Sequence, residues 1–121
     1  MTELDLVLQW FAAFVTTAAV EVPIAALALR RASVAVPRGV GLAVLAQFAT
    51  HPMLWFILPT VLTGRTVYVV VGEATVTAME AALYALAAPA LGFRRAALVS
   101  IVANGASVAA GELLRALGAP F

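Results

Sequence analysis

Four stretches of this chain, residues 6–29, 39–62, 66–91 and 96–117, are almost continuously apolar. A membrane-spanning helix needs about 20 mostly apolar residues to cross a hydrocarbon core about 30 Å thick. Each stretch meets that length, and the connections between them are short. A helical bundle folded in water would need a polar outer face on every helix. None of the four stretches has one. Composition agrees: 64% of the 121 residues are hydrophobic and 11% are charged, where soluble chains carry roughly 45–50% and about 25%. Abundant Ala and Gly let helices approach closely in lipid. The expected fold is all-α, a polytopic four-helix membrane bundle forming a single transmembrane domain.

The charged residues suggest an orientation. Arg30, Arg31 and Arg38 follow the first stretch, Arg65 the second, and Arg94 and Arg95 the third; Arg115 lies beside Glu112 near the C-terminus. Loops rich in Arg stay in the cytoplasm, so the first and third connections are expected inside and both termini outside. Glu3 and Asp5 precede the first stretch, where a signal peptide would carry positive charge; the first helix is expected to be retained. There is no Cys and no basic tract with interleaved aromatics, which argues against disulfides, thiolate metal sites and nucleic-acid binding.

The two halves, 6–62 and 66–117, resemble each other. TTAAVEVPIAALA (16–28) aligns without gaps on TVTAMEAALYALA (75–87), matching Glu21 with Glu80. Arg38, Gln47 and Thr50 have the same spacing as Arg95, Asn104 and Ser107. Each half reads as a glutamate helix, a basic loop, and a helix with carboxamide and hydroxyl three residues apart. Two helices return the chain to its starting side, so the halves are expected to be parallel repeats, two αα-hairpins. Coincidence between two Ala-rich segments is the alternative.

Ionisable groups inside a span cost roughly 2.5–3.5 kcal/mol each on insertion scales and usually face the bundle interior. At about 1.5 Å per residue, Glu21 lies ~13 Å from Arg30, Glu80 ~21 Å from Arg94, His51 ~20 Å from Arg38 and Asn104 ~13 Å from Arg95. All four fall near mid-membrane, and Glu73 lies nearer the outer surface. Glu73, Thr77, Glu80 and Tyr84 form one helical stripe, as do Ser100, Asn104, Ser107 and Gly111. Thr17 with Glu21, and Gln47 with His51, add stripes on the other two helices. Three carboxyls then meet one imidazole with no Arg at their depth. Either some glutamates carry protons or a cation sits among them. Pro52 and Pro23 deprive the carbonyls of Phe48 and Ala19 of helical partners and are expected to kink their helices. His51-Pro52 and Glu21-Val22-Pro23 are thus expected to wall one polar chamber.

Plainer readings stay open. The prolines can be architectural, Asn104, Ser100 and Ser107 can be inter-helix glue, and Glu73 can reach toward the interface. Trp10, Trp55 and Tyr68 read as interfacial or lipid-facing aromatics, and the arginines as topology signals. Motifs for metalloproteases, serine hydrolases, phosphate loops and di-iron sites are absent. The set Glu21/Pro23, Thr50-His51-Pro52, Glu73/Glu80 and Asn104/Ser107 resembles small, uncharacterised four-helix bacterial inner-membrane proteins. That resemblance implies a multi-pass protein of the bacterial inner membrane and transfers no activity.

The leading expectation is a buried site that binds, and in its fuller form translocates, a proton or a divalent metal ion. Glu21, His51, Glu80 and Asn104, with Glu73 as the gate, are the ligands or proton relay; Gln47, Thr50, Thr77, Ser100 and Ser107 are neutral supports. A homodimer would more readily complete a transport path. The alternatives are a non-catalytic accessory or assembly subunit of a larger membrane complex and, third, an intramembrane enzyme using the His51/glutamate cluster.

Overall fold

The computed structural model describes residues 1–121. It contains four long helices: α1 (Glu3–Arg31), α2 (Val36–Val61), α3 (Arg65–Ala87) and α4 (Phe93–Ala116). All four are long and apolar enough to cross a membrane, and the chain is a multi-pass membrane protein. Large apolar side chains such as Phe11, Leu45, Val70 and Ile101 lie exposed on the outside of the bundle. In water such a surface would be unstable; in lipid it is the expected exterior.

The helix limits follow local chemistry. α1 begins earlier than the apolar pattern suggests, because Thr2 and Asp5 form a reciprocal capping box. The Asp5 N–H donates to the Thr2 hydroxyl at 3.1 Å, and the Thr2 N–H donates to the Asp5 carboxylate at 2.7 Å. α1 ends on Arg30 and Arg31, cations suited to the negative end of the helix dipole. α2 carries Pro37 in its first turn, where no N–H is needed. α3 stops at Ala87 rather than 91, the end of its apolar stretch. Residues Pro89–Leu91 instead form a single 3-10 turn, and Gly92, at φ 77, starts α4. Residue 88 precedes a proline, which disfavours helical backbone.

The prolines act differently. Pro23 sits inside a continuous α1. Pro52 ends the regular part of α2, and residues Met53–Ile57 wind as a π-helix before α-helix resumes at Leu58. The wider turn is this structure's answer to the missing N–H at position 52; helix interiors containing such turns expose backbone groups to other partners. One is used at once: the Tyr68 hydroxyl donates to the Leu54 carbonyl at 2.9 Å.

α1 packs on α2 and α4, and α3 packs on α4 and α2. The two glutamate helices, α1 and α3, therefore occupy one diagonal of the bundle. Close approach depends on small residues. A methyl group at Gly39 would already touch the Ala26 Cα at 3.4 Å. Ala25, Ala43, Ala46, Ala96 and Ala103 are buried to 5% exposure or less. The Arg38 guanidinium donates to the Ala87 carbonyl at 3.0 Å, so the first and third connections share one end. At the opposite end Arg65 pairs with Glu112 at 2.7 Å, and Glu112 also meets Arg115.

Candidate functional site

Glu21 and Glu80 face each other across the bundle centre, both almost fully buried. α1 and α3 place them there because each lies on the face of small residues that meets the other helices. Gln47 on α2 lies between them. Its side-chain Nε2 donates to Glu21 Oε2 and, at 3.3 Å, to Glu80 Oε1. One carboxamide thus joins the two acids.

The remaining donors form a cross-over pattern. Glu80 Oε2 accepts from Asn104 Nδ2 at 2.7 Å, and Glu80 Oε1 accepts from the Thr50 hydroxyl at 3.0 Å. Glu21 Oε1 lies against the Ser107 hydroxyl. Each glutamate is therefore held by the carboxamide of its own half of the chain and by the hydroxyl of the other half. Asn104 also donates to the Ser100 carbonyl at 3.0 Å, and the Ser100 hydroxyl donates to the Thr77 carbonyl at 2.7 Å, tying α4 to α3. Neither carboxyl enters an ion pair; the molecule's two ion pairs both lie at Glu112.

The two hydroxyls have more acceptors than protons. Thr50 Oγ1 stands 3.0 Å from Glu80 Oε1 and 2.9 Å from the Ala46 carbonyl. Ser107 Oγ stands against Glu21 Oε1 and 3.0 Å from the Asn104 carbonyl. A hydroxyl has one hydrogen to give and can accept two. If the carboxyl is ionised, the hydroxyl donates to it and leaves the helix carbonyl. If the carboxyl is protonated, the acid donates to the hydroxyl, and the hydroxyl donates back to the carbonyl. The helix carbonyls keep their backbone N–H partners in both arrangements, so the two differ in which way each hydroxyl points.

His51 takes a different position from the one its neighbours suggest. It is buried, but it makes no hydrogen bond to either glutamate. Its ring is enclosed by aromatics: Phe14 edge-on at 5.5 Å, Trp55 stacked at 6.3 Å and Trp10 at 6.4 Å between centroids. Nδ1 of His51 and Nε1 of Trp10 are both buried without a partner. Trp10 and Trp55, expected at the interface or against lipid, thus build an aromatic box around the imidazole. Tyr68 likewise turns inward to the Leu54 carbonyl rather than to lipid.

A polar cavity of about 180 Å³ runs from this centre to the end of the bundle that carries Arg65 and Glu112. Glu21, Gln47, His51 and Glu73 line it, and Arg65, Glu112 and Arg115 line its outer part. At about 30 Å³ per water, it has room for several. It joins Glu73, Glu21, His51 and Asn104 to one space, although Glu80 does not line it. No three of the protein's His, Asp and Glu side chains come together in an arrangement that could hold a metal ion. The set Glu21, His51, Glu80 and Glu73 is therefore brought into one region but not into one coordination sphere. Sequence reasoning notes Glu112 beside Arg115 but misses its pairing with Arg65 across the bundle end. It also missed the Leu54 carbonyl, which no side-chain pattern reveals.

Comparison with family models, with curated proteins and with solved structures finds no match for this chain. Class is therefore set by fold and site alone: a four-helix membrane protein with a buried pair of hydrogen-bonded carboxyls.

Proposed function

We propose that this protein binds protons at the Glu21–Glu80 pair and passes them along the bundle interior. One observation carries the reading: Thr50 and Ser107 each lie between a carboxyl oxygen and a helix carbonyl. A neutral acid donates into that chain of bonds, and an ionised one draws the hydroxyl's hydrogen to itself and away from the helix carbonyl. Proton gain and loss at each glutamate is thus coupled to rotation of one hydroxyl, with no displacement of helices. The cavity supplies a water-accessible approach to Glu21 by way of Glu73. No third acid or imidazole joins the Glu21–Glu80 pair, which favours the proton over a divalent ion, whose oxygen ligands gather within about 2.6 Å of one point.

The same bonds support parallel repeats. Gln47 and Asn104, and Thr50 and Ser107, are equivalent positions in the two halves, and they serve Glu21 and Glu80 in the equivalent crossed way. The distribution of arginines supports an orientation with both termini outside.

Reconstitution in liposomes tests the function. With an imposed pH gradient and a pH-sensitive dye inside, the wild type is expected to pass protons faster than empty vesicles. Glu21→Gln and Glu80→Gln are each expected to return the rate to that of empty vesicles. Equal rates for wild type and both variants would contradict the proposal.

A second reading, a non-catalytic subunit of a larger membrane complex, draws on the way the central side chains satisfy one another. It requires unchanged proton movement together with loss of a co-purifying partner when Glu21 or Glu80 is replaced.

A further inference from the structure

Glu73 is the carboxyl that the central network leaves out. It is half-buried on α3, two helical turns from Glu80, and enters neither ion pair. It stands where two hollows meet. One is the polar cavity. The other is an apolar groove between α3 and α4, of about 680 Å³, bordered by Val70, Ala74, Ala78, Phe93 and Ile101. Glu73, Val69, Asn104 and Val108 line both. The groove lies among residues on the lipid-facing side of the bundle, several of them exposed.

We infer that this junction binds a primary alkylammonium ion, its head at Glu73 in the polar cavity and its alkyl tail in the groove. A neutral acyl chain would fill the groove and leave the Glu73 carboxylate without a partner. An anion would meet that carboxylate directly. A bare metal ion lacks a ligand cluster. An ammonium supplies the opposite charge and N–H donors, and a carboxylate–ammonium bond is of the stronger, charge-assisted kind. The same cavity presents the rings of Trp55 and Tyr68, whose faces attract cations, and His51, whose buried Nδ1 bonds nothing in the protein. The tail would replace lipid along α3 and α4. The inference rests on the same polar cavity as the proton reading, but not on proton movement through it.

Trp55 and Trp10 give a direct signal. The protein in lipid nanodiscs is titrated with octylammonium, octanol and octyl sulfate while tryptophan fluorescence is followed. Octylammonium is expected to give a saturable change that the other two do not. Glu73→Gln is expected to weaken it about tenfold or more, as loss of a charge-assisted bond requires. Ala78→Phe, which fills the groove, is expected to weaken octylammonium while leaving the response to methylammonium unchanged, which shows this variant to be folded and keeps the inference testable should Glu73→Gln misfold. An equal response to octanol would make the groove a seat for acyl chains and overturn the inference. So would titration of Glu73→Gln like wild type, or a dimer that occludes the groove and gives no amine response. Loss of amine binding with proton movement intact removes this inference alone; the reverse removes only the proton reading.

Discussion

Gln47 donates from one nitrogen to both Glu21 and Glu80, so the carboxyls of α1 and α3 are held through a single side chain of α2. Replacing it with Leu keeps bulk and removes both donors. The two acids would then lose partners in a buried setting, where an unsatisfied polar group costs about 1–3 kcal/mol. Gln47→Leu is expected to lower the thermal unfolding midpoint in detergent clearly below wild type. An unchanged midpoint would show that the bridge does not hold the bundle.

The crossed hydroxyls make equivalent roles testable. Thr50→Val and Ser107→Ala each remove one link between a carboxyl and a helix carbonyl. Each is expected to cost about 0.5–1.5 kcal/mol, the usual net value of such a bond. Because both acids share Gln47, the double variant is expected to depart from the sum by about 0.5 kcal/mol or more. A double-mutant cycle on unfolding measures this; strict additivity would separate the two sites.

Tyr84 offers the opposite case. It is 1% exposed and its hydroxyl bonds nothing in the protein. Tyr84→Phe removes a buried polar atom that has no partner to lose. Stability is expected to stay equal or rise by about 1 kcal/mol. A marked fall in the unfolding midpoint would mean that the hydroxyl has a partner among bound waters.

Orientation is accessible because the chain has no cysteine. Thr63→Cys, in the connection between α2 and α3, is expected to react with a membrane-impermeant thiol reagent on intact cells. Ala90→Cys, between α3 and α4, is expected to react only after lysis, as five arginines flanking the first and third connections demand. The reverse pattern of labelling would invert the topology.

Much of this arrangement was visible in one dimension. The length and apolarity of the four stretches specified four spans, and the inward stripes of Glu21, Gln47, Glu80 and Asn104 followed from helical spacing. The apolar pattern runs four residues past the C-terminal end of α3, because Ala88, Pro89, Ala90 and Leu91 are as apolar as the helix before them. The crossing of Ser107 to Glu21 and Thr50 to Glu80 was not legible, since a stripe says which face turns inward but not which neighbour it meets. That His51 makes no hydrogen bond to the acids was hidden for the same reason. Its place depends on Trp10, Phe14 and Trp55 converging from two helices.

The central claim is that Glu21 and Glu80 hold protons which their hydroxyl and carboxamide neighbours are arranged to accommodate. Infrared difference spectroscopy of the protein in lipid, in H₂O and D₂O at neutral pH, reads protonated carboxyls by their C=O stretch. The account expects a D₂O-sensitive carboxylic acid band that diminishes in Glu21→Gln and in Glu80→Gln. Absence of that band from the wild type, with only carboxylate bands present, would contradict it.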